Sequence, residues 1–261
     1  TQDSSSAASD VYKRQVQENV AILTVDNPPV NPLSDGVRTG LYECITKAED
    51  DDSIDAVVLT GNGRAFIAGA DISEFGGNVE GISLNDVFKK LEFCKKPIVA
   101  AINGIALGGG LETALCCNYR IASKTAFVGL PEVNLGLLPG GGGTQRLPRL
   151  AGPAEALKMM LTGSHVSAKQ ALDLGIIDNI AEDIVTESIE FIKEKAKSTE
   201  IHPKVRDFNE KMIEARGNDT VLLEAQAMAA KGRKGQFAPG QIIKCVEAAI
   251  NIDDFDEGLK K

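Results

Sequence analysis

The chain is poor in the residues that most often build metal centres and nucleophile triads. Only two histidines, His165 and His202, occur in 261 residues. Both sit in turn-like contexts, "TGSHVSA" and "EIHPK", and read as surface residues, so a His-based metal site or triad has almost nothing to draw on. The five cysteines, Cys44, Cys94, Cys116, Cys117 and Cys245, are odd in number, and no two have metal-ligand spacing. That argues against a disulfide framework and fits reducing surroundings. Adjacent Cys116 and Cys117 fall in an apolar run and read as small buried residues. No apolar run approaches the roughly 18 residues that a membrane span needs, and no internal repeat is visible. The opening "TQDSSSAASDVYKRQ" has no apolar segment, so it is no secretory signal. Residues 1–15 are expected to form a disordered leader. There is no long basic stretch, and the net charge is −9, which argues against nucleic acid as a partner. An anionic ligand remains compatible if lysine, arginine or a helix N-terminus helps locally.

What remains is a composition of 43% hydrophobic and 25% charged residues, suited to one large α/β domain or one domain with a helical appendage. "NVAILTVDNPP" alternates and stops at Pro-Pro, reading as a strand and turn. In "SDGVRTGLYECITKAEDD", Val37, Leu41, Ile45 and Ala48 recur at helical spacing behind Ser34 as cap. "IDAVVLTGNG" reads as a buried strand. "SLNDVFKKLEFCKK" is an amphipathic helix that must stop before Pro97. "PIVAAINGIAL" is another buried strand, interrupted by Gly104 and closed by Gly108. "LETALCCNY" reads as helix, and "YRIASKTAFVGL" as two short strands. This alternation favours an α/β fold with largely parallel pairing. From Gly140 onward the pattern turns helical. "SAKQALDLG" starts another helix with a serine cap and a glycine stop. The tail from Thr186 to Lys261 is helical throughout, with breaks expected at Pro203, Gly217 and Pro239.

Three segments carry chemistry. "AINGIALGGGLETAL" sets three glycines and then Glu112 between a strand and a helix. Glycine lets a ligand approach the backbone, and a helix start adds free N–H donors and a positive dipole end. Together these suit developing negative charge, as in an oxyanion hole. Tight strand-to-helix packing is the plainer explanation of the triplet. "VGLPEVNLGLLPGGGG" puts Glu132 in an apolar loop ahead of Gly140–Gly143. Two carboxylates in apolar settings suit general acid/base work, because burial raises their pKa toward neutrality. A capping or salt-bridged role for Glu132 is the alternative. "GRAFIAGADISEF" exposes backbone at Ala68, Gly69 and Ala70, with Asp71 placed to cap the following helix.

In this order and spacing the segments resemble the enoyl-CoA hydratase/isomerase (crotonase) family, over roughly Val16 to Asn179. The likeness is strongest to the N-terminal hydratase part of multifunctional β-oxidation enzymes that also bear a 3-hydroxyacyl-CoA dehydrogenase. The resemblance implies a crotonase-like spiral of ββα units over 16–185, with a helical C-terminal region over 186–261. The end of that region, "FAPGQIIKCVEAAINIDDFDEGLKK", looks like the truncated link to a dehydrogenase part. Helices from about Val221 onward are expected to pack back on the hydratase core through the stripe of Ile242, Val246, Ala249 and Ile250, with part of that stripe left uncovered.

The resemblance also implies trans-2-enoyl-CoA hydration in fatty-acid β-oxidation, with Glu112 and Glu132 catalytic. Ala70 and Gly109 match the residues of an oxyanion hole, and Gly140 the glycine that positions water. Ala68, Gly69, Ala70, Asp71 and Ile72 match a loop that cradles CoA. Arg64 stands where a basic residue meets CoA phosphates, or equally is a solvated surface arginine. No metal and no separate cofactor is implied, CoA being part of the substrate. The partner is an acyl-CoA thioester, with either a homo-oligomer or a covalent fusion to a dehydrogenase domain. The setting is bacterial cytoplasm or peroxisome, and not the secretory route. The same pocket would serve Δ3-Δ2-enoyl-CoA isomerisation, or a non-catalytic acyl-CoA-binding or RNA-binding relative; two retained glutamates weigh against the former of these relatives and the negative charge against the latter. One departure stands out: Thr113 replaces the leucine usual after the glutamate.

Overall fold

The computed structural model describes residues 12–71, 74, 81–198 and 201–261. Strands β1 (Tyr12–Gln17) and β2 (Val20–Val25) form a hairpin. Its two-residue turn, Glu18-Asn19, has positive φ at both positions, the twist that matches antiparallel neighbours. The leader expected over 1–15 is therefore wrong for Tyr12 to Gln15. Tyr12 is buried and the segment pairs along β2, whose apolar run supplies the template. Helix α1 (Asp35–Asp50) follows, with Ser34 at its N-cap. The serine does not cap through its side chain; its Oγ accepts from Asn27 Nδ2 at 3.1 Å, and the Asp35 N–H donates to Glu74 instead.

The chain then repeats a unit of two strands and a helix. The first unit is β3 (Ala56–Gly61), β4 (Ala65–Ala68) and α2 (Leu84–Glu92); the second is β5 (Ile98–Ile102), β6 (Ile105–Leu107) and α3 (Gly109–Cys116); β7 (Tyr119–Ser123) and β8 (Phe127–Gly129) begin the third. In each unit the first strand joins one sheet and the second another. The segment read as one strand broken at Gly104 is thus two strands in two sheets. The third turn continues through α4 (Gly143–Ala151), α5 (Pro153–Thr162), β9 (His165–Ser167), α6 (Ala168–Asp173) and β10 (Asn179–Ala181). Among the described residues the larger sheet runs β1-β2-β3-β5-β7-β10, parallel except for the hairpin, and the smaller runs β4-β6-β8-β9. This is the crotonase spiral. His165 lies in β9 rather than a turn, edge-on to the Phe127 ring. His202 is half-buried beside Tyr119.

Continuous apolar strands follow from a sheet covered on both faces. Ala21, Leu23, Val57, Leu59, Ile98 and Ala100 face the main core. Val20, Ile22, Val58 and Val99 face the other side, where α7 (Ile184–Ser198) lays Ile189 and Ile192 against them. The remaining helices are α8 (Glu210–Ala215), α9 (Thr220–Gly232), α10 (Ala238–Asn251) and α11 (Phe255–Leu259). Pro203 and Gly217 lie in breaks, but Pro239 sits in the first turn of α10, where a missing N–H costs nothing. The α10 stripe of Ile242, Val246, Ala249 and Ile250 is fully covered: the helices pack back on the core as expected, and the part expected to be uncovered is not. Helices α4 and α5, which pack on α10, supply the cover.

Because this stripe is part of the main core, Ile242→Ala should cost about 2–5 kcal/mol. Thermal unfolding should show it at roughly 2–4 °C per kcal/mol. A midpoint within a degree of the parent would mean that α10 is only loosely docked.

Candidate active site

The glycine triplet has three separate jobs. Gly108 takes φ 54°, a conformation that excludes most side chains, and its N–H donates to Gly129 O in β8 at 2.9 Å. Gly110 faces β4 so closely that a Cβ would stand 1.9 Å from Ile67 O. Gly109, between them, opens α3, and a Cβ there would stand 3.5 Å from Ala70 N. Across the gap, the loop after β4 is pinned by the segment before α1. Ala68 N donates to Val30 O at 3.1 Å, and Leu33 N donates to Gly69 O at 2.9 Å. Buried Asn31 holds the same segment through Asn62 O, Ala65 O and Phe66 O. The N–H groups of Ala70 and Gly109 have no hydrogen-bond partner among the described residues. Two neighbouring free donors make a small electropositive seat.

Both glutamates line the same cavity, of about 760 Å³, together with Ala68, Gly69, Ala70, Gly108 and Gly109. Leu84, Leu107, Leu135, Leu137 and Leu138 supply apolar wall. Glu112, on α3, is buried, and its Oε1 accepts from the N–H of Gly141 and of Gly143, each at 2.8 Å. Burial raises its pKa, while those two N–H groups and the Arg146 charge restrain the rise. Glu132 begins a short 3₁₀ helix, Glu132–Leu135. Its Oε2 is buried with no partner among the described residues. Burial, and then the nearby Glu112 charge, push it up to about 8. The two carboxyls on this wall are thus unlike: Glu112 accepts from two backbone N–H groups, whereas Glu132, with its buried Oε2 unpartnered among the described residues, is pushed toward holding its proton at neutral pH. Arg233, just past α9, steadies the Glu132 helix by donating to Val133 O and Asn134 Oδ1.

The other expected residues divide. Gly140 lines the cavity, but the glycines that donate to Glu112 are Gly141 and Gly143, which the sequence reading did not single out. Asn31, Gly108 and Arg146 were also missed; the charged residues inside the apolar run "TQRLPRL" were the available signal for Arg146. Arg64 is not at the cavity: it is exposed and precedes β4, whereas Ala68–Ala70 follow it, about 13 Å along the strand. Asp71 is not among the lining residues. Ile72, and the helix that Asp71 was expected to cap apart from Glu74, lie outside the described residues. Thr113 is buried and turns its hydroxyl back to Gly109 O at 2.7 Å, leaving Glu112 in place.

A carboxyl whose folded pKa lies above its unfolded one binds more protons folded than unfolded in between, so stability falls as pH rises through that window. For Glu132 the window runs from about 4.3 to about 8. Glu132→Gln removes this penalty. Its melting midpoint should match the parent near pH 4.5 and exceed it by ~2 °C or more at pH 8, the equivalent of about 1 kcal/mol in a chain of this size. Parallel curves across that range would place Glu132 at an ordinary pKa.

Residues 15–238 match the family described as enoyl-CoA hydratase/isomerase. The peroxisomal bifunctional enzyme of Danio rerio is 41% identical over 247 residues, which are 94% of this chain but 34% of that protein. The chain therefore spans about a third of the length of that relative. A probable enoyl-CoA hydratase of Bacillus subtilis is 46% identical over 175 residues, 64% of this chain and 68% of that protein. The crystal structure of an enoyl-CoA hydratase from Bacillus anthracis superposes with a TM-score of 0.68 at 31% identity, covering 85% of this chain and 88% of the other. On the strength of the matched span and of these relatives, the chain belongs to the enoyl-CoA hydratase/isomerase family.

Proposed function

We propose that this chain adds water across the double bond of a trans-2-enoyl-CoA thioester, giving the 3-hydroxyacyl-CoA, as a step of fatty-acid β-oxidation. The observation that carries the reading is the pairing of Glu112 and Glu132 on one cavity with the free N–H groups of Ala70 and Gly109. The thioester carbonyl oxygen sits between those two donors. Ionised Glu112 takes a proton from a water molecule, whose oxygen bonds to C3. The C2–C3 π electrons move toward the carbonyl, and the two N–H groups stabilise the enolate charge. Protonated Glu132 then delivers its proton to C2. Glu112 ends protonated and Glu132 ionised, so one proton returns between them to reset the pair. A single carboxylate would suffice for shuttling a proton between C2 and C4; two of opposite protonation favour hydration. The backbone at Ala68–Ala70 forms the wall along which the CoA moiety enters. Peroxisomal and bacterial proteins both stand among the relatives, and fusion to a dehydrogenase part is the partner arrangement that the bifunctional relatives suggest.

Loss of crotonyl-CoA absorbance is the direct assay. Glu132→Gln should lower kcat by about 10²–10⁴-fold, with crotonyl-CoA still bound. The kcat/KM of the parent should decline as pH rises through about 8, where Glu132 loses its proton. Undiminished turnover in the variant removes Glu132 as the acid, and no absorbance loss with the parent removes the hydratase assignment.

The donor pair has its own test. Gly109 is the first residue of α3, a position where proline is tolerated, so Gly109→Pro deletes one donor without breaking the helix. It should fold and lose about 10²–10³ in kcat. A folded variant of near-parental rate would show that Gly109 N–H is not used.

A further inference from the structure

Behind Glu112 lies a buried charge network that the reaction itself does not touch. Arg146, on α4, is 4% exposed, and Glu92, at the end of α2, is 3% exposed. They pair with two hydrogen bonds: Arg146 Nε donates to Glu92 Oε1 at 3.0 Å and Nη2 to Glu92 Oε2 at 2.9 Å. The third nitrogen, Nη1, donates to Gly141 O at 2.9 Å. Gly141 therefore has its carbonyl held by Arg146 and its N–H donated to Glu112. There is no slack around it, since a Cβ on Gly141 would fall 2.1 Å from Phe88 Cε2 and 2.7 Å from Glu112 Oε2.

The network reaches the last helix. Arg206 Nη1 donates to Glu92 Oε2 at 3.3 Å and its Nη2 to Asp256 Oδ2 at 2.7 Å. The Phe255 ring is flanked by Arg146 at 4.7 Å, Arg149 at 5.1 Å and Arg206 at 4.7 Å. A Cβ on Gly142 would stand 3.4 Å from Leu259 Cδ1. So α11 sits directly over the glycine loop.

We propose that Arg146, clamped by Glu92, is a positioning residue for Glu112: it fixes the Gly141 backbone so that the N–H groups of Gly141 and Gly143 hold the Glu112 carboxylate in place. The role of Glu112 as base is the reading proposed above, and this inference rests on it. A bidentate guanidinium is rigid in plane and orientation, which suits a clamp better than a store of stability. A buried pair of this kind gains little over an apolar one. The charged and titratable groups facing Glu112 are Arg146 from α4, Glu132 from the 3₁₀ helix, Cys116 on its own helix, and Glu92 from α2 behind Arg146. Arg146 is the sole cation among them.

A double-mutant cycle separates positioning from plain structure. Arg146→Lys keeps the charge but cannot hold Glu92 twice and Gly141 O at once. Alone, it should lower kcat for crotonyl-CoA by about 10–100-fold, the scale of a misplaced catalytic group, with KM changed less than about threefold. In a Glu112→Gln background it should cost under about twofold. An equal loss in both backgrounds, or no loss in either, overturns the proposal. The paired replacement Glu92→Leu/Arg146→Met removes both charges together, and so keeps the fold where a lone orphaned charge would not. Its readout needs no turnover: the ¹³C-carboxyl titration of Glu112 in the free protein should move to higher pH, and an unmoved titration overturns the proposal. If the parent fails to hydrate crotonyl-CoA, the hydratase reading falls, while this titration still decides whether Arg146 governs Glu112.

Discussion

Two carboxylates on one apolar cavity cannot both be charged cheaply. That repulsion, added to burial, is the constraint around which the site is arranged. Glu112 receives two backbone N–H groups and a nearby guanidinium, whereas the buried Oε2 of Glu132 receives nothing among the described residues. The asymmetry of donors decides which group keeps the proton. The proposed assignment of base and acid rests on it, burial displacing both pKa values upward.

The spiral serves this asymmetry. Because each unit sends its second strand to the smaller sheet, the ends of β4, β6 and β8 lie side by side. The Ala70 N–H leaves the end of β4, the triplet with Gly109 leaves β6, and Glu132 follows β8. The two backbone donors and Glu132 thus come from three successive turns, and no loop has to reach far. Glu112 sits one turn into α3, and the glycine loop that opens α4 closes on it. The helical C-terminal region is part of the same arrangement: Arg233 holds the Glu132 helix, and α10 completes the main core.

Legibility followed the range of the interaction. Glu112, Glu132, Ala70 and Gly109 stand in local patterns, where glycines, a turn and an apolar run within a few residues announce an unusual backbone. The strand and helix order was readable for the same reason. Tyr12–Gln15 was not, since its polar pattern becomes a strand only by pairing with β2. The split of "PIVAAINGIAL" between two sheets turns on a close approach of Gly104 to Arg64 O, which no local pattern encodes. Asn31 and the Arg146–Glu92 pair join residues far apart in the chain. Nothing near either partner says which buried charge it will meet. Among the glycines after Pro139, the choice of Gly141 and Gly143 depends on which N–H groups α4 leaves free, a matter of turn geometry rather than of composition.

The central claim is that the pair shares one proton at neutral pH and that Glu132 keeps it. Infrared difference spectroscopy of the free protein, titrated from pH 6 to pH 9, reads this directly, because a protonated carboxyl has a carbonyl band that an ionised one lacks. A band present at pH 7, lost near pH 8, missing from Glu132→Gln and retained in Glu112→Gln but lost there at a lower pH, the Glu112 charge being gone, is the predicted result. A band missing at pH 7, or one that survives Glu132→Gln and disappears with Glu112→Gln, would contradict the account.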